Sequence, residues 1–334
     1  MRPLPGLRPA ALPAALLAAL LAALPVVPSA PASAAGREVV LTPTSVGRGP
    51  DITSPHVDID GRTVVDGTVR FPVVAERVVL LGKAGLASYV VATSNDQGGG
   101  GRVWRYAADG TGVLLAKAGL ERVVLAGDAA TLVVSRPERR TGRSTITAYD
   151  VATGAVRAQR EFGDHAIALS AQDDRVVLGG TRKTRLWTTS TGTVGTLARD
   201  PGYFADLASD VVATFTQDPY DGGCSELRRV SSGALVWRSC RQRVFSVSPD
   251  GSRLATQDIF IDFPGPPVVD VRTITGTKIA RYSVVTYSFG TIAWESPTAL
   301  LLEVVRDHKG YVARCTGTSC ERATEYYDAN PSQV

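Results

Sequence analysis

Three histidines, His56, His165 and His308, hold most of the acid–base and metal-binding potential of this 334-residue chain. No two share the short spacings that bring ligands to one metal ion, and each reads as a turn or surface residue. A serine nucleophile in a G-x-S-x-G setting is absent. Asp58 and Asp60, in D-I-D-G, faintly match the start of a calcium loop, but the other ligands of such a loop are missing, so a strand-to-turn reading is preferred. Asp173-Asp174 falls where a tight turn wants Asp. Trp104, Trp187, Trp237 and Trp294 occupy strand positions, where packing rather than cofactor docking is expected. The side-chain inventory thus nominates no catalytic residue, no cofactor and no metal ligand.

The elements that carry these residues repeat. Asp66-Gly67, Asp109-Gly110, Thr153-Gly154, Thr191-Gly192, Ser232-Gly233, Thr275-Gly276 and Thr316-Gly317 are all turn-type pairs, and successive glycines are 43, 44, 38, 41, 43 and 41 residues apart. Each interval has the same content. In 121–163, two short apolar runs (Arg122–Leu125 and Thr131–Ser135) precede a basic loop, Arg136–Arg143. The alternating run Thr145–Tyr149 follows, then a turn and a return over Ala155–Phe162. Four antiparallel strands, a to d, in about 42 residues match one blade of a β-propeller. The spacing predicts an all-β fold with seven blades over 35–76, 77–120, 121–163, 164–203, 204–243, 244–285 and 286–328, and a tail at 329–334. The first, with Pro43, Pro50 and Pro55, is the weakest; it is either incomplete or partly shared with the last blade to close the ring.

Four cysteines allow three pairings. Cys224 and Cys240 lie symmetrically about Ser232, as cross-strand partners at the open end of a c–d hairpin; Cys315 and Cys320 bracket a four-residue hairpin loop. Each pair sits within one blade, whereas cross-pairing would join blades separated by a third. Cys224–Cys240 and Cys315–Cys320 are therefore the expected disulfides.

Two stretches resemble known propellers. Ser248-Pro249-Asp250-Gly251-Ser252-Arg253-Leu254-Ala255 is similar to the S-P-D-G-x-x-L-A motif of TolB-type, WD40-like repeats. Ala148-Tyr149-Asp150-Val151-Ala152-Thr153-Gly154 is similar to the A-x-D-x-x-T-G of YVTN and quinoprotein-like repeats. The Gly-His and Trp-Asp pairs of strict WD40 repeats are absent. The resemblance implies architecture, not one particular protein, and the motif residues read as turn formers: Pro249 presets φ, Asp250 and Asp150 bind nearby backbone, and Gly251 accepts positive φ.

The chain's first 34 residues read as a secretory leader rather than a transmembrane anchor. Arg2 and Arg8 precede an Ala/Leu-rich segment broken by Pro13 and Pro25, and Ala32-Ser33-Ala34 fits cleavage between Ala34 and Ala35. No other run is apolar enough to span a bilayer. Without the leader, 34 basic residues face 32 acidic ones, too even a balance to recruit nucleic acid. Arg far outnumbers Lys, as in high-GC bacteria.

One pattern points to function. Irregular length concentrates between strands b and c, at Asn95–Gly101, Arg136–Arg143, Gln217–Gly223, Asp258–Pro267 and Arg306–Gly310. In a propeller these loops emerge on one face, and insertions on one face of a repeat array mark a binding face. Arg139, Arg140, Tyr220, Asp221, Phe260 and Phe263 are the candidate contacts, although Phe260 and Phe263 can equally fold inward as core. The expectation is an exported, monomeric, non-enzymatic module that binds a protein or cell-envelope ligand. The alternative is a propeller enzyme, a lyase, hydrolase or quinoprotein-like oxidoreductase, with scattered residues converging near the axis.

Overall fold

The computed structural model describes residues 37–42, 46–261, 265–285, 288–306 and 309–328. The expected leader with its Ala34–Ala35 junction, Phe263, His308 and the 329–334 tail lie outside the described residues.

Seven antiparallel sheets follow one another along the chain, and the fold is a seven-bladed β-propeller. Blade three shows the pattern: Val123–Leu125, Thr131–Glu138, Arg143–Asp150 and Val156–Phe162 lie side by side in chain order. All seven marker glycines sit in the turn between strands c and d with φ between 58° and 96°. Only glycine enters that region without steric cost, which is why the repeat is visible in turn residues and faint elsewhere. At three of these turns the glycine also packs on the blade before it: Gly110 lies against Phe71, Gly154 against Leu115 and Gly276 against Trp237. Backbone irregularities recur too. Strands c and d slip register in blades two to six, at Val103/Trp104, Ala148/Tyr149, Thr184/Arg185, Leu227/Arg228 and Val271/Arg272.

The motif residues act locally. Asp250 Oδ1 accepts hydrogen bonds from Ser248 Oγ (2.7 Å), Ser252 Oγ (2.9 Å) and Ser252 N (3.1 Å). Asp150 Oδ1 accepts from Thr153 N (2.7 Å) and Thr153 Oγ1 (2.9 Å).

Apolar residues of facing sheets form the core. One cluster joins Ile146, Ala148 and Phe162 of blade three to Val176, Leu178 and Trp187 of blade four. Trp187 and Trp237 are buried, and Trp294 packs against the cluster between blades six and seven.

Blade one departs from the repeat. It has three strands, His56–Val57, Thr63–Asp66 and Val69–Pro72. Its Gly67 turn joins the last two, and Phe71 of the last packs on the Gly110 turn as the outer strands of blades two and five pack on the turns that follow them. Those two are strands c and d, His56–Val57 is strand b, and no strand a is found among the described residues. The N-terminal part expected within this blade goes elsewhere. Glu38–Leu41 pairs in parallel with the outer strand of blade six, Lys278–Val284, with Glu38 opposite Arg281 and Leu41 opposite Val284. The expected sharing with the last blade is limited to a strap: Arg48 bridges Arg322 on the outer strand of blade seven, flanked by Gly49 N→Arg322 O (2.9 Å) and Arg322 N→Gly47 O (2.7 Å). Unsatisfied edge groups of two sheets explain the route, since an extended segment pairs with them at little cost.

Candidate functional site

The side chains first considered for chemistry are engaged in structure. Asp60 accepts from Arg62 N and Thr63 N (both 2.8 Å) and from Thr63 Oγ1, closing the turn after strand b. Asp58 pairs with Arg70 at 2.5 Å. His165 lies in a connection between blades three and four with φ 47°, its N–H donating to Gly142 O (2.8 Å). His56 Nδ1 lies 2.8 Å from Ser54 O. Among the described residues, no three His, Cys, Asp or Glu side chains group as metal ligands. The structure forms both disulfides, Cys224–Cys240 and Cys315–Cys320.

The b–c loops are uneven in length. In blade three, strand pairing continues to Glu138 opposite Arg143, so the basic loop shrinks to 139–142, with Arg139 and Arg140 exposed at its tip. In the neighbouring blade four, the equivalent turn exposes Arg182 and Lys183. The longer loops of blades five and six meet. A single 3-10 turn over Pro219–Asp221, capped by Asp218 accepting from Tyr220 N (2.9 Å), lifts Tyr220 out of the sheet. The Tyr220 ring lies 5.3 Å from the Phe260 ring, and Tyr220 OH donates to Phe260 O at 3.3 Å. The two rings remain 65% and 47% exposed, which decides the choice left open for Phe260: it faces outward. Asp221 is exposed beside them. Arg139 and Arg140 share the face but stand on a different blade.

Two cavities supplement this face. A shallow groove of about 320 Å³ runs between the d–a connection of blade one (Val74–Glu76) and the b–c loop of blade two. Trp104, Tyr106, Glu76 and Arg102 line it, and Glu76 accepts from Asp96 N at 2.8 Å, holding the loop in place. A deeper cavity of about 370 Å³ lies between blades seven, one and two, with many aliphatic wall residues and with His56, Asp58, Glu303, Tyr327 and Asp328 among its polar groups. Glu303 accepts from Thr291 N (2.8 Å) and from Tyr327 OH (2.5 Å). Burial first, then the neighbouring Glu303 carboxylate, raises the Tyr327 phenol well above its ordinary value and keeps it a donor.

No protein-family description and no curated protein matches this chain. Solved structures do match. A chain of the mitotic checkpoint complex superposes with TM-score 0.54 at 16% identity, covering 86% of this chain and 89% of that one. Hsv2 of Kluyvelomyces marxianus gives 0.52 at 13% over 81% and 93%. The uncharacterized protein lmo1340 of Listeria monocytogenes EGD-e gives 0.51 at 12% over 75% and 83%. A coronin WD40 domain of Toxoplasma gondii and TolB of Acinetobacter baumannii are also matched, at 0.48 and 0.47. The likeness is one of fold. At these identities it says nothing about ligand or reaction.

Sequence reasoning names Tyr220 and Phe260 separately, does not pair them, and misses both cavities. By its strand position Trp104 reads as packing, and only its spacing of two from Tyr106 on one strand signals a shared face. The deeper cavity lies where the described residues supply no strand a for blade one, which no motif reports.

Proposed function

We propose that this chain is an exported bacterial binding module, monomeric and non-enzymatic, that holds a protein or cell-envelope ligand on its b–c face. The observation that carries the reading is the exposed Tyr220–Phe260 pair, contributed by two blades. Paired aromatics with large exposed area are the residues that dominate binding energy once an interface covers them. The exposed guanidiniums of Arg139 and Arg140 on the same face suit the carboxylates or phosphates of envelope partners, and Asp221 and Phe263 complete the contact set.

Two disulfides fit an oxidising compartment, and no described helix is long and apolar enough to cross a membrane. In this reading residues 1–34 are removed between Ala34 and Ala35, the propeller domain spans 35–328, and 329–334 form a short tail. The test is retention of partners from the envelope fraction of the producing culture by the immobilised protein. The variant carrying Arg139→Ala, Arg140→Ala, Tyr220→Ala and Phe260→Ala is expected to lose them, with loss of the aromatics alone costing at least about 2 kcal/mol. Equal recovery by wild type and variant would overturn the reading.

A further inference from the structure

Seams between neighbouring blades are closed by buried apolar clusters from one–two through six–seven. Among the described residues no such cluster closes the seam between blades seven and one, and the 370 Å³ cavity lies there. Its walls identify it. Val57 belongs to strand b of blade one, Val78–Leu80 to strand a of blade two, and Thr291 and Ala293 to strand a of blade seven. The cavity therefore occupies the slot that strand a of blade one would fill.

We infer that this slot receives an extended peptide strand from a partner protein, which completes blade one by strand addition. Backbone chemistry comes first. His56–Val57 pairs with Thr63–Asp66 on one side and has no strand neighbour on the other among the described residues. In each other blade, strand b has strand a on that side. An open strand edge presents N–H and C=O groups in strand register, which an extended chain satisfies and a compact small molecule does not. The side walls come second. Ile59 and Val79 face the slot and are 39% and 41% exposed, so alternate side chains of an entering strand find apolar surface on both flanks. Charge comes third. No Lys or Arg lines the slot. Asp58 and Asp328 are matched by Arg70 and Lys309 from outside it. Glu303 is held only by hydrogen bonds from Thr291 N and Tyr327 OH among the described residues. A partly buried carboxylate with no cation beside it among the described residues favours a strand that brings a basic residue. The strand required is thus short, apolar in its middle and basic at an end. The first strands of the complete blades have three to seven residues, which sets its length. This site stands on other blades than the Tyr220–Phe260 pair and does not depend on that pair.

The chain supplies its own probe. Arg77–Lys83, strand a of blade two, has an apolar centre and basic ends. A fluorescently labelled synthetic peptide of that sequence, titrated with the full protein, is expected to bind saturably by anisotropy, and a scrambled peptide of the same composition is not. Val79→Trp and Ile59→Trp, which fill the slot from two different blades at half-exposed positions, are each expected to weaken binding at least about tenfold, as steric overpacking of a fitted site does. Their circular dichroism and thermal unfolding should match wild type. Tyr220→Ala and Phe260→Ala should leave peptide binding unchanged, so failure here is distinct from failure of the b–c face. No binding to wild type, equal binding of the scrambled peptide, or binding indifferent to both tryptophans would overturn the proposal. So would binding seen only after residues 329–334 are deleted, which would put the chain's own tail in the slot.

Discussion

Cys224 and Cys240 lie one position beyond Ser225 and Ser239, the last opposed pair of their hairpin, while Cys315 and Cys320 are themselves directly opposed. Both bonds pin strand d, the outermost strand of its own blade in the four-strand order, against fraying. The first closes a loop of 15 intervening residues, for which chain entropy gives about 3 kcal/mol; the second closes a far shorter loop and contributes less. Replacing Cys224 and Cys240 with Ser should therefore lower the urea midpoint more than the same change at Cys315 and Cys320. Equal shifts would show that loop entropy does not govern these bonds. Close contact decides other positions. A Cβ on Gly276 would come within 2.0 Å of the Trp237 ring, so this turn tolerates glycine alone for reasons of space as well as φ.

At the scale of elements, two blades repeat one polar device. In blade five, Glu226 on strand c is paired by Arg228 (2.6 Å) and approached by Arg238 of strand d (3.6 Å). In blade six, Asp270 takes the same place, with Arg281 at 2.7 Å and Arg272 at 3.3 Å. Asp270 is fully buried. Burial by itself would raise its pKa, but the hydrogen bonds from Arg281 and Gln242 outweigh that, and the net shift is downward. A carboxylate lowered in the folded state adds stability that is complete above its unfolded value, near 4, and is lost as pH falls through the folded value. Asp270→Asn is expected to destabilise by about 3–5 kcal/mol, because two guanidiniums lose their buried partner. It should also flatten the dependence of stability on pH below about 4. Denaturant titrations of both proteins between pH 2 and 7 (about the range in which carboxylates titrate) check this; an unchanged acid limb would assign the acid lability to other carboxylates.

At the scale of the whole molecule, the propeller is closed by a strap rather than by a shared blade. After crossing the outer edges of blades six and seven, the N-terminal segment is clamped by Arg314. That guanidinium donates to Pro50 O (3.0 Å) and Asp51 O (2.8 Å), and to Glu321 (2.9 Å) and Glu295 (2.8 Å). Glu295 accepts in turn from Thr53 N at 2.7 Å. The clamp stands at the seam that lacks an apolar cluster, so polar contacts hold there what hydrophobic burial holds elsewhere. Arg314→Met should leave the other seams intact and speed amide exchange over residues 46–54 by at least about tenfold, the effect of losing about 1.4 kcal/mol of local protection. Exchange unchanged in that segment would mean that Glu38–Leu41 anchors the strap alone.

The sequence by itself determined the blade count, the hairpin turns and the cysteine partners, because these depend on positive φ at seven regularly spaced glycines and on symmetry about one turn. Local backbone geometry is written in residue type, as Asp150, Asp250 and Gly233 show. It also placed Tyr220 and Phe260 on one face, since loops between equivalent strands must emerge together. Tertiary structure alone decided that those two rings touch, that Phe260 faces solvent, and that Glu38–Leu41 leaves blade one for blade six. It alone opened a slot where no described residue supplies strand a of blade one. These outcomes depend on which strand edges remain unpaired once every other strand has found its neighbour. That competition runs between segments more than 200 residues apart, such as Glu38 and Arg281, and no local pattern encodes it.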